Sequence, residues 1–142
     1  MSMIDPQDVL AGPEASSSEV LDCVVVGGGP AGLTAGLYLR RFHRLARVID
    51  AGAGRARRIS RSHNVAGFPD GVAGVQLLDR MKRHLRQVGG HVILDTVGRI
   101  ERRADGLFAI GLAHQLLWAR NVLLGLRGQG FQLRPGTARS DQ

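Results

Sequence analysis

The sequence predicts an α/β fold, an open and mainly parallel sheet to which a small antiparallel meander is added. The apolar strand Leu21–Val26 runs into a glycine-rich turn and a helix of small residues, and a second strand ends at Asp50. A strand, a helix and a second strand in this order form the unit from which parallel sheets are built. Short apolar runs beyond residue 97, separated by a turn, predict the meander.

The glycine-rich turn has the pattern Gly27-x-Gly29-x-x-Gly32. Gly27 permits a tight reversal, Gly29 leaves room for a pyrophosphate to approach the backbone, and Gly32 lets the helix lie close to the strand. Pro30 suits the first helical turn because its missing N–H would have no intrahelical acceptor. The free N–H groups and the positive dipole end of this helix would then face phosphates.

An acidic residue completes the pattern. Asp50 follows Gly32 by 18 residues and ends the second strand. In a dinucleotide site, a carboxylate at this spacing accepts hydrogen bonds from the adenosine ribose, and its charge repels the 2′-phosphate of NADP. The alternative is a glycine turn that binds nothing, but the strand, the helix and the acid together favour a Rossmann-like dinucleotide site.

The remaining elements follow from hydrophobic periodicity. An amphipathic helix is predicted at about Val72 to Val88, and Gly89 and Gly90 end it. Its predicted apolar positions are Val75, Leu78, Met81, Leu85 and Val88. The later strands are predicted at His91–Thr96, Val97–Arg103, Leu107–Leu112, Gln115–Trp118 and Asn121–Leu124, with a hairpin turn at Asp105 and Gly106. His91–Thr96 is expected to be the third parallel strand.

The composition fits one globular domain without a membrane span. The chain has 142 residues, of which 44% are hydrophobic. Residues 1–19 are acidic and serine-rich, which predicts a disordered leader and not a signal peptide. Cys23 is the only cysteine and lies in an apolar strand. We therefore expect a buried packing residue and a reducing, cytoplasmic location.

The net charge of +7 leaves several interpretations open. Of the 19 basic residues only Lys82 is a lysine, which indicates a preference for arginine codons more than a selected binding patch. The densest cluster, Arg55–Arg61, has no interleaved aromatic residues for base stacking. It follows the ribose acid directly, so contacts to cofactor phosphates, contacts to DNA and a simple solvated loop all stay open.

Three segments together resemble a known family. They are residues 24–38, which contain the glycine turn, residues 48–52, Val-Ile-Asp-Ala-Gly, and residues 64–71, Asn-Val-Ala-Gly-Phe-Pro-Asp-Gly. Over about residues 20–124 the chain resembles the FAD-binding domain of the thioredoxin reductase group of flavoprotein disulfide oxidoreductases. The third segment makes the resemblance more specific, because it is not expected in a generic NAD-binding domain.

The resemblance implies a set of cofactor contacts. The pyrophosphate would contact the glycine turn, and the ribose would contact Asp50. The flavin or ribityl chain would lie near Asn64, and the adenine would contact the backbone at Val97. The cofactor-binding residues it implies are Gly27, Gly29, Pro30, Ala31, Gly32, Asp50, Ala51, Asn64 and Val97. The family usually has Pro where this chain has Ala66. His63 is expected to be structural, and neither a catalytic residue nor a metal site is predicted.

Members of this family also carry parts that these 142 residues lack. They are a second, NADPH-binding domain, a Cys-x-x-Cys pair in the thioredoxin reductases, and a Gly-Asp motif for the flavin end. We therefore expect an incomplete domain, the FAD-binding portion of an NAD(P)H-dependent flavin oxidoreductase that is inactive alone. It would form a homo-oligomer or join a separate NADPH-domain partner. The alternatives are a non-catalytic nucleotide-binding fragment and, more weakly, a basic nucleic-acid-binding module.

The sequence divides into a leader at 1–19, an FAD-binding lobe at 20–124 and a tail at 125–142. The tail is polar and glycine-rich without periodicity, which predicts disorder. In relatives the strand matching Asn121–Leu124 runs into Ala-Thr-Gly. A shifted reading of the codons for Leu126 and Arg127 permits that tripeptide. We hypothesise that an insertion or deletion near codon 125 truncated a longer reductase; an ordinary disordered tail is the alternative.

Overall fold

The computed structural model describes residues 6–13 and 18–125. The helices are α1 (Pro6–Ala11), α2 (Pro30–Arg41) and α3 (Gly74–Gln87), and a short 3-10 helix spans Arg55–Arg58. The strands are β1 (Val20–Val26), β2 (Ala46–Asp50), β3 (Val92–Leu94), β4 (Val97–Arg102), β5 (Phe108–Leu112) and β6 (Leu116–Leu124). The predicted tail lies outside the described residues except for Gly125.

The strands form one six-stranded sheet in the order β3-β2-β1-β6-β5-β4. The pairs β3–β2, β2–β1 and β1–β6 are parallel, whereas β6–β5 and β5–β4 are antiparallel. The predicted fold class, an open parallel sheet with an antiparallel meander, is confirmed. The carboxyl ends of β1, β2, β3 and β6 therefore point to one edge of the sheet, where ligands bind in open α/β folds.

Both faces of β1 are buried, as expected for a central parallel strand. Leu21, Val24 and Val26 pack with the meander residues Ile100 and Ile110. On the other face, a second cluster joins the strands to the helices α2 and α3; its buried members are Cys23, Val25, Leu33, Val48, Leu78 and Leu85. Two apolar clusters thus bury the two faces of β1, one shared with the meander strands and one with the helices.

Helix α3 confirms the predicted amphipathic helix, with shorter ends. Leu78 and Leu85 are buried as predicted, whereas Val75 is 43% exposed because it lies in the first turn, beyond the edge of the sheet cluster. Gly89 follows the helix with φ +76°, the left-handed conformation that a glycine adopts at a helix end. Strand β3 is shorter than the predicted His91–Thr96, because only three residues pair with β2.

The last two predicted strand segments, Gln115–Trp118 and Asn121–Leu124, form the single strand β6. The strand is continuous because its whole length pairs with β1, from Val20 opposite Trp118 to Val26 opposite Leu124. Only its first part, up to Ala119, also pairs with β5. A polar interruption at Arg120 and Asn121 suggested two strands, but both side chains are exposed at a position where the strand leaves β5.

The expectation of a disordered leader is wrong for its first described part, which forms helix α1. Val9 is buried in a cluster with Ala109 and Trp118. The Arg103 guanidinium donates a hydrogen bond to the Val9 carbonyl at 3.2 Å and lies 5.3 Å from the centre of the Trp118 ring. These tertiary contacts supply the stability that a six-residue helix does not have on its own.

Among the described residues, no helix is both long and apolar enough to cross a membrane. Cys23 is buried in β1, and its thiol lies 3.7 Å from the carbonyl oxygen of Val24. Burial raises the pKa of this thiol above its ordinary value of 9.0, so the side chain is protonated at neutral pH. The expectation that Cys23 packs inside the protein is confirmed.

Candidate nucleotide-binding site

The glycine turn lies between β1 and α2, at the carboxyl edge of the sheet. Gly27 has φ +116°, a conformation that side chains rarely adopt, and its N–H donates a hydrogen bond to the carbonyl of Ile49 at 2.8 Å. A Cβ at this position would lie 2.8 Å from the carbonyl oxygen of Gly125. The backbone of β2 and the end of β6 therefore enclose Gly27 on both sides.

Gly32 and Gly29 differ in the space around them. A Cβ at Gly32 would lie 1.8 Å from the carbonyl oxygen of Gly27, so the close contact between helix and turn requires glycine. A Cβ at Gly29 would meet no atom within 4 Å, and the backbone there is extended, with φ −79°. The open side of the turn is therefore at Gly29, where the sequence pattern places a pyrophosphate.

Helix α2 begins at Pro30, and no side chain caps its first turn. The N–H groups of a first turn have no intrahelical acceptors, so they are available to an anion. Pro30 and Ala31 are exposed beside the open face of Gly29. The two residues thus lie at the positive end of the helix dipole.

Asp50 ends β2 with its carboxylate against the glycine turn. A Cβ at Gly28 would lie 2.3 Å from Cγ of Asp50, so the carboxylate occupies the space that glycine leaves open. The N–H of Gly52 donates a hydrogen bond to Oδ1 of Asp50 at 2.9 Å. The ammonium of Lys82 in α3 lies 3.2 Å from Oδ2 and forms an ion pair with it.

A cavity of about 170 Å³ opens beside the turn. Its walls are formed by Val26, Gly27, Ile49, Ala51, Asp95, Thr96 and Val97. Three residues predicted from the sequence, Gly27, Ala51 and Val97, therefore meet in one cavity at the ends of β1, β2 and β3. The aliphatic walls and the neighbouring backbone suit a flat aromatic base, with polar groups to fix its orientation.

Asp95 and Thr96 belong to this cavity although the sequence analysis did not select them. Oδ1 of Asp95 accepts hydrogen bonds from the N–H groups of Thr96, at 2.7 Å, and Ala113, at 3.2 Å. The backbone N–H of Asp95 donates to the carbonyl of Asp50 at 3.2 Å. Asp95 therefore fixes the turn between β3 and β4 that carries Val97. The sequence feature that could have identified Asp95 is its position as an acidic residue directly after the third parallel strand.

Asn64 lies neither in the lining of the cavity nor in the adjoining glycine turn. It is exposed in the loop between the 3-10 helix and α3, and its side-chain oxygen accepts a hydrogen bond from the hydroxyl of Ser62 at 2.6 Å. A cofactor's flavin end extends far from its adenine, so this contact stays a prediction. His63 in the same loop is also exposed.

Lys82 is the third residue that the sequence did not point to, because its place on α3 assigned it to the polar face. Its side chain is only 16% exposed and reaches the sheet edge at Asp50. The sequence feature that could have pointed to Lys82 is that it is the only lysine among 19 basic residues. In contrast, Arg55, Arg57, Arg58 and Arg61 are exposed, so the structure leaves the alternatives for that cluster open. The described residues contain no group of three or more metal-ligating side chains.

Comparisons with known proteins point to one group of enzymes. No protein-family model matches the sequence. The thioredoxin reductase of Neurospora crassa is 35% identical over 89 residues, which cover 57% of this chain and 26% of the relative. A ferredoxin–NADP reductase of Bacillus thuringiensis is 27% identical over 139 residues, which cover 90% of this chain and 42% of the relative.

This chain is similar to one part of the thioredoxin reductases. The atypical thioredoxin reductase from Desulfovibrio vulgaris Hildenborough has a solved structure that matches with a TM-score of 0.70 at 25% identity. The match covers 78% of this chain and 38% of that one. The chain thus shares the fold of thioredoxin reductase-like oxidoreductases, and it spans between about a quarter and two fifths of the relatives' length.

Proposed function

We propose that this chain binds FAD by its adenosine and pyrophosphate parts, as the FAD-binding portion of a thioredoxin reductase-like, NAD(P)H-dependent flavin oxidoreductase. The observation that carries the proposal is the meeting of three features at one sheet edge. They are the open face of Gly29 at the start of α2, the enclosed carboxylate of Asp50, and the cavity lined by Ala51 and Val97.

The residues present fit this part of FAD. The space beside Gly29 admits a pyrophosphate to the N–H groups of α2, where no side chain competes with it. Each oxygen of Asp50 has one protein donor, which leaves acceptor capacity for ribose hydroxyls. Adenine would enter the cavity beside Val97. FAD, when bound, supplies the electron-transfer chemistry, while these residues bind and orient it.

We propose that the chain is inactive alone, because dithiol exchange requires a pair of cysteines and the sequence contains only Cys23. That thiol is buried and protonated, which makes it a poor nucleophile. A separate NADPH-binding partner would supply the missing chemistry, and association with a second copy of the chain is a further interaction that we propose. A lone, protonated cysteine suits a reducing compartment, so we place the chain in the cytoplasm.

The proposal is tested by incubating the purified chain with excess FAD, desalting it and recording the visible absorbance spectrum. We expect flavin bands to remain with the wild-type chain and to be lost with Gly29→Ala. This variant should fold, because a Cβ there meets no atom within 4 Å, but its methyl group covers the open face of the turn. A colourless wild-type protein would overturn the proposal. Without an NADPH-domain partner, the same site would make the chain a non-catalytic nucleotide-binding fragment, and NADPH oxidation measured with and without that partner separates the two.

A further inference from the structure

The Asp50 carboxylate, to which the proposed function assigns the ribose, does not stand alone, because Lys82 forms an ion pair with it. The two side chains are 3.2 Å apart, and Lys82 and Asp50 are only 16% and 11% exposed. They join elements that are distant in sequence, the end of β2 and the middle of α3. The basic residue next to Lys82, Arg83, is exposed.

The position of Asp50 is fixed from three directions. Gly52 donates to one oxygen and Lys82 to the other, while the backbone of Gly28 lies directly against the carboxyl group. The carboxylate therefore stays at the turn with its charge compensated. A bare carboxylate at this place repels a phosphate on the ribose 2′ position, whereas a paired one presents no net charge.

We propose that Lys82 is a specificity-determining residue of the nucleotide site, which allows it to accept adenosine carrying a 2′-phosphate as well as adenosine carrying a 2′-hydroxyl. The inference rests on the proposed nucleotide-binding function and adds a ligand class that the acid alone would exclude. The ion pair compensates the Asp50 charge, which removes the repulsion that a bare carboxylate exerts on a 2′-phosphate.

The alternative to a role in nucleotide selectivity is a purely structural one, in which the ion pair only holds α3 against the sheet. Buried ion pairs contribute little net stability on average, so stability measurements alone do not separate the two roles. Nucleotide selectivity does, because a purely structural pair would not change the ratio of affinities for two ligands that differ only at the 2′ position.

The experiment measures binding of ADP-ribose and 2′-phospho-ADP-ribose by calorimetry at pH 8. We expect wild-type dissociation constants for the two ligands within about threefold of each other. Lys82→Gln should weaken binding of the 2′-phosphorylated ligand by about tenfold relative to ADP-ribose, which corresponds to the loss of one modest charge interaction. Arg83→Gln removes the same charge from the exposed neighbouring position and should leave the ratio unchanged.

Two further variants keep the test decisive if Lys82→Gln folds poorly. Lys82→Arg retains the charge and should retain the wild-type ratio. The double variant Asp50→Asn with Lys82→Gln removes both charges and should return the ratio to within about threefold of wild type. A ratio that is the same in every variant would overturn the role of Lys82 while leaving the proposed function intact. Binding of neither ligand to the wild-type chain would overturn the proposed function itself.

Discussion

Two glycines of one turn, Gly29 and Gly32, have opposite surroundings. The atom nearest to a Cβ at Gly32 is the backbone oxygen of Gly27 in the same turn, whereas Gly29 faces open space. The Gly-x-Gly-x-x-Gly spacing predicted both roles, because its second glycine, Gly29, approaches the ligand and its third, Gly32, packs against the strand. The structure adds the distance from a Cβ at each glycine to its nearest atoms, and that distance predicts the effect of an alanine substitution.

Alanine substitutions at the two glycines should have different effects, on stability at Gly32 and on nucleotide binding at Gly29. We expect Gly32→Ala to lower the free energy of unfolding by about 3 kcal/mol, because the methyl group overlaps the Gly27 carbonyl. Gly29→Ala should change it by less than about 0.5 kcal/mol. Urea unfolding followed by fluorescence of Trp118, the only tryptophan, gives both values. Equal losses of stability in the two variants would contradict this account of the turn.

The pair of Asp50 and Lys82 shows what the sequence did not reveal at the residue scale. Asp50 was predicted from its position after a strand and its distance from Gly32. Its partner lies 32 residues further along, on a helix whose rotation about its own axis decides where each polar side chain points. Periodicity located the apolar stripe of that helix correctly at Leu78 and Leu85 but could not show that Lys82 reaches around its edge.

Helix α1 is the element for which local sequence was least informative. Its six residues lie in an acidic, serine-rich stretch and are too few for a stable isolated helix, so it forms because Val9 packs on Trp118 and Ala109. That surface exists only after β5 and β6 have paired. The amphipathic α3, the first strand and the hairpin between β4 and β5 were predicted because each carries its pattern within its own sequence.

The docking of α1 is tested by two neighbouring substitutions. We expect Val9→Asp to release the helix, shift the emission of Trp118 to longer wavelength and lower the free energy of unfolding by about 1–2 kcal/mol. Leu10→Asp places the same charge on a side chain that is 77% exposed, so emission and stability should stay unchanged. An unchanged Trp118 spectrum in Val9→Asp would show that α1 does not depend on this contact.

At the scale of the whole molecule, Cys23 reports on unfolding of the sheet. It lies in the central strand, and burial raises the pKa of its thiol above the value it has in an unfolded chain. This contribution to stability is complete below that unfolded value and is lost as the pH rises above it, because only the unfolded chain then releases the proton.

We expect alkylation of Cys23 to be slow in the native protein and to increase with urea in parallel with the loss of Trp118 fluorescence. The reagent should label the unfolded chain faster at pH 9 than at pH 7, since more thiolate is present. Mass spectrometry of the labelled chain provides the measurement, with Cys23→Ala as the unlabelled control. Rapid labelling without urea would show that the central strand opens locally.

The end of β6 links the fold to the site. The N–H of Gly125 donates to the carbonyl of Val26 at 2.8 Å, which places the last described residue against the glycine turn. The resemblance matched Asn121–Leu124 to a strand that runs into Ala-Thr-Gly, but the sequence did not predict that this strand runs unbroken from the meander. The reading-frame hypothesis concerns residues beyond this point, so it stays a prediction that sequencing of the gene and its downstream region can test.

The central claim is that the glycine turn and the adjoining cavity bind the adenosine and pyrophosphate parts of a nucleotide. The most direct measurement is a titration of the isotopically labelled chain with ADP, followed by amide chemical shifts in NMR spectra. The account predicts saturable shifts at Gly27 to Gly32 and around Ala51 and Val97. Shifts confined to the exposed arginines at Arg55–Arg61, or no saturable shifts at all, would contradict it.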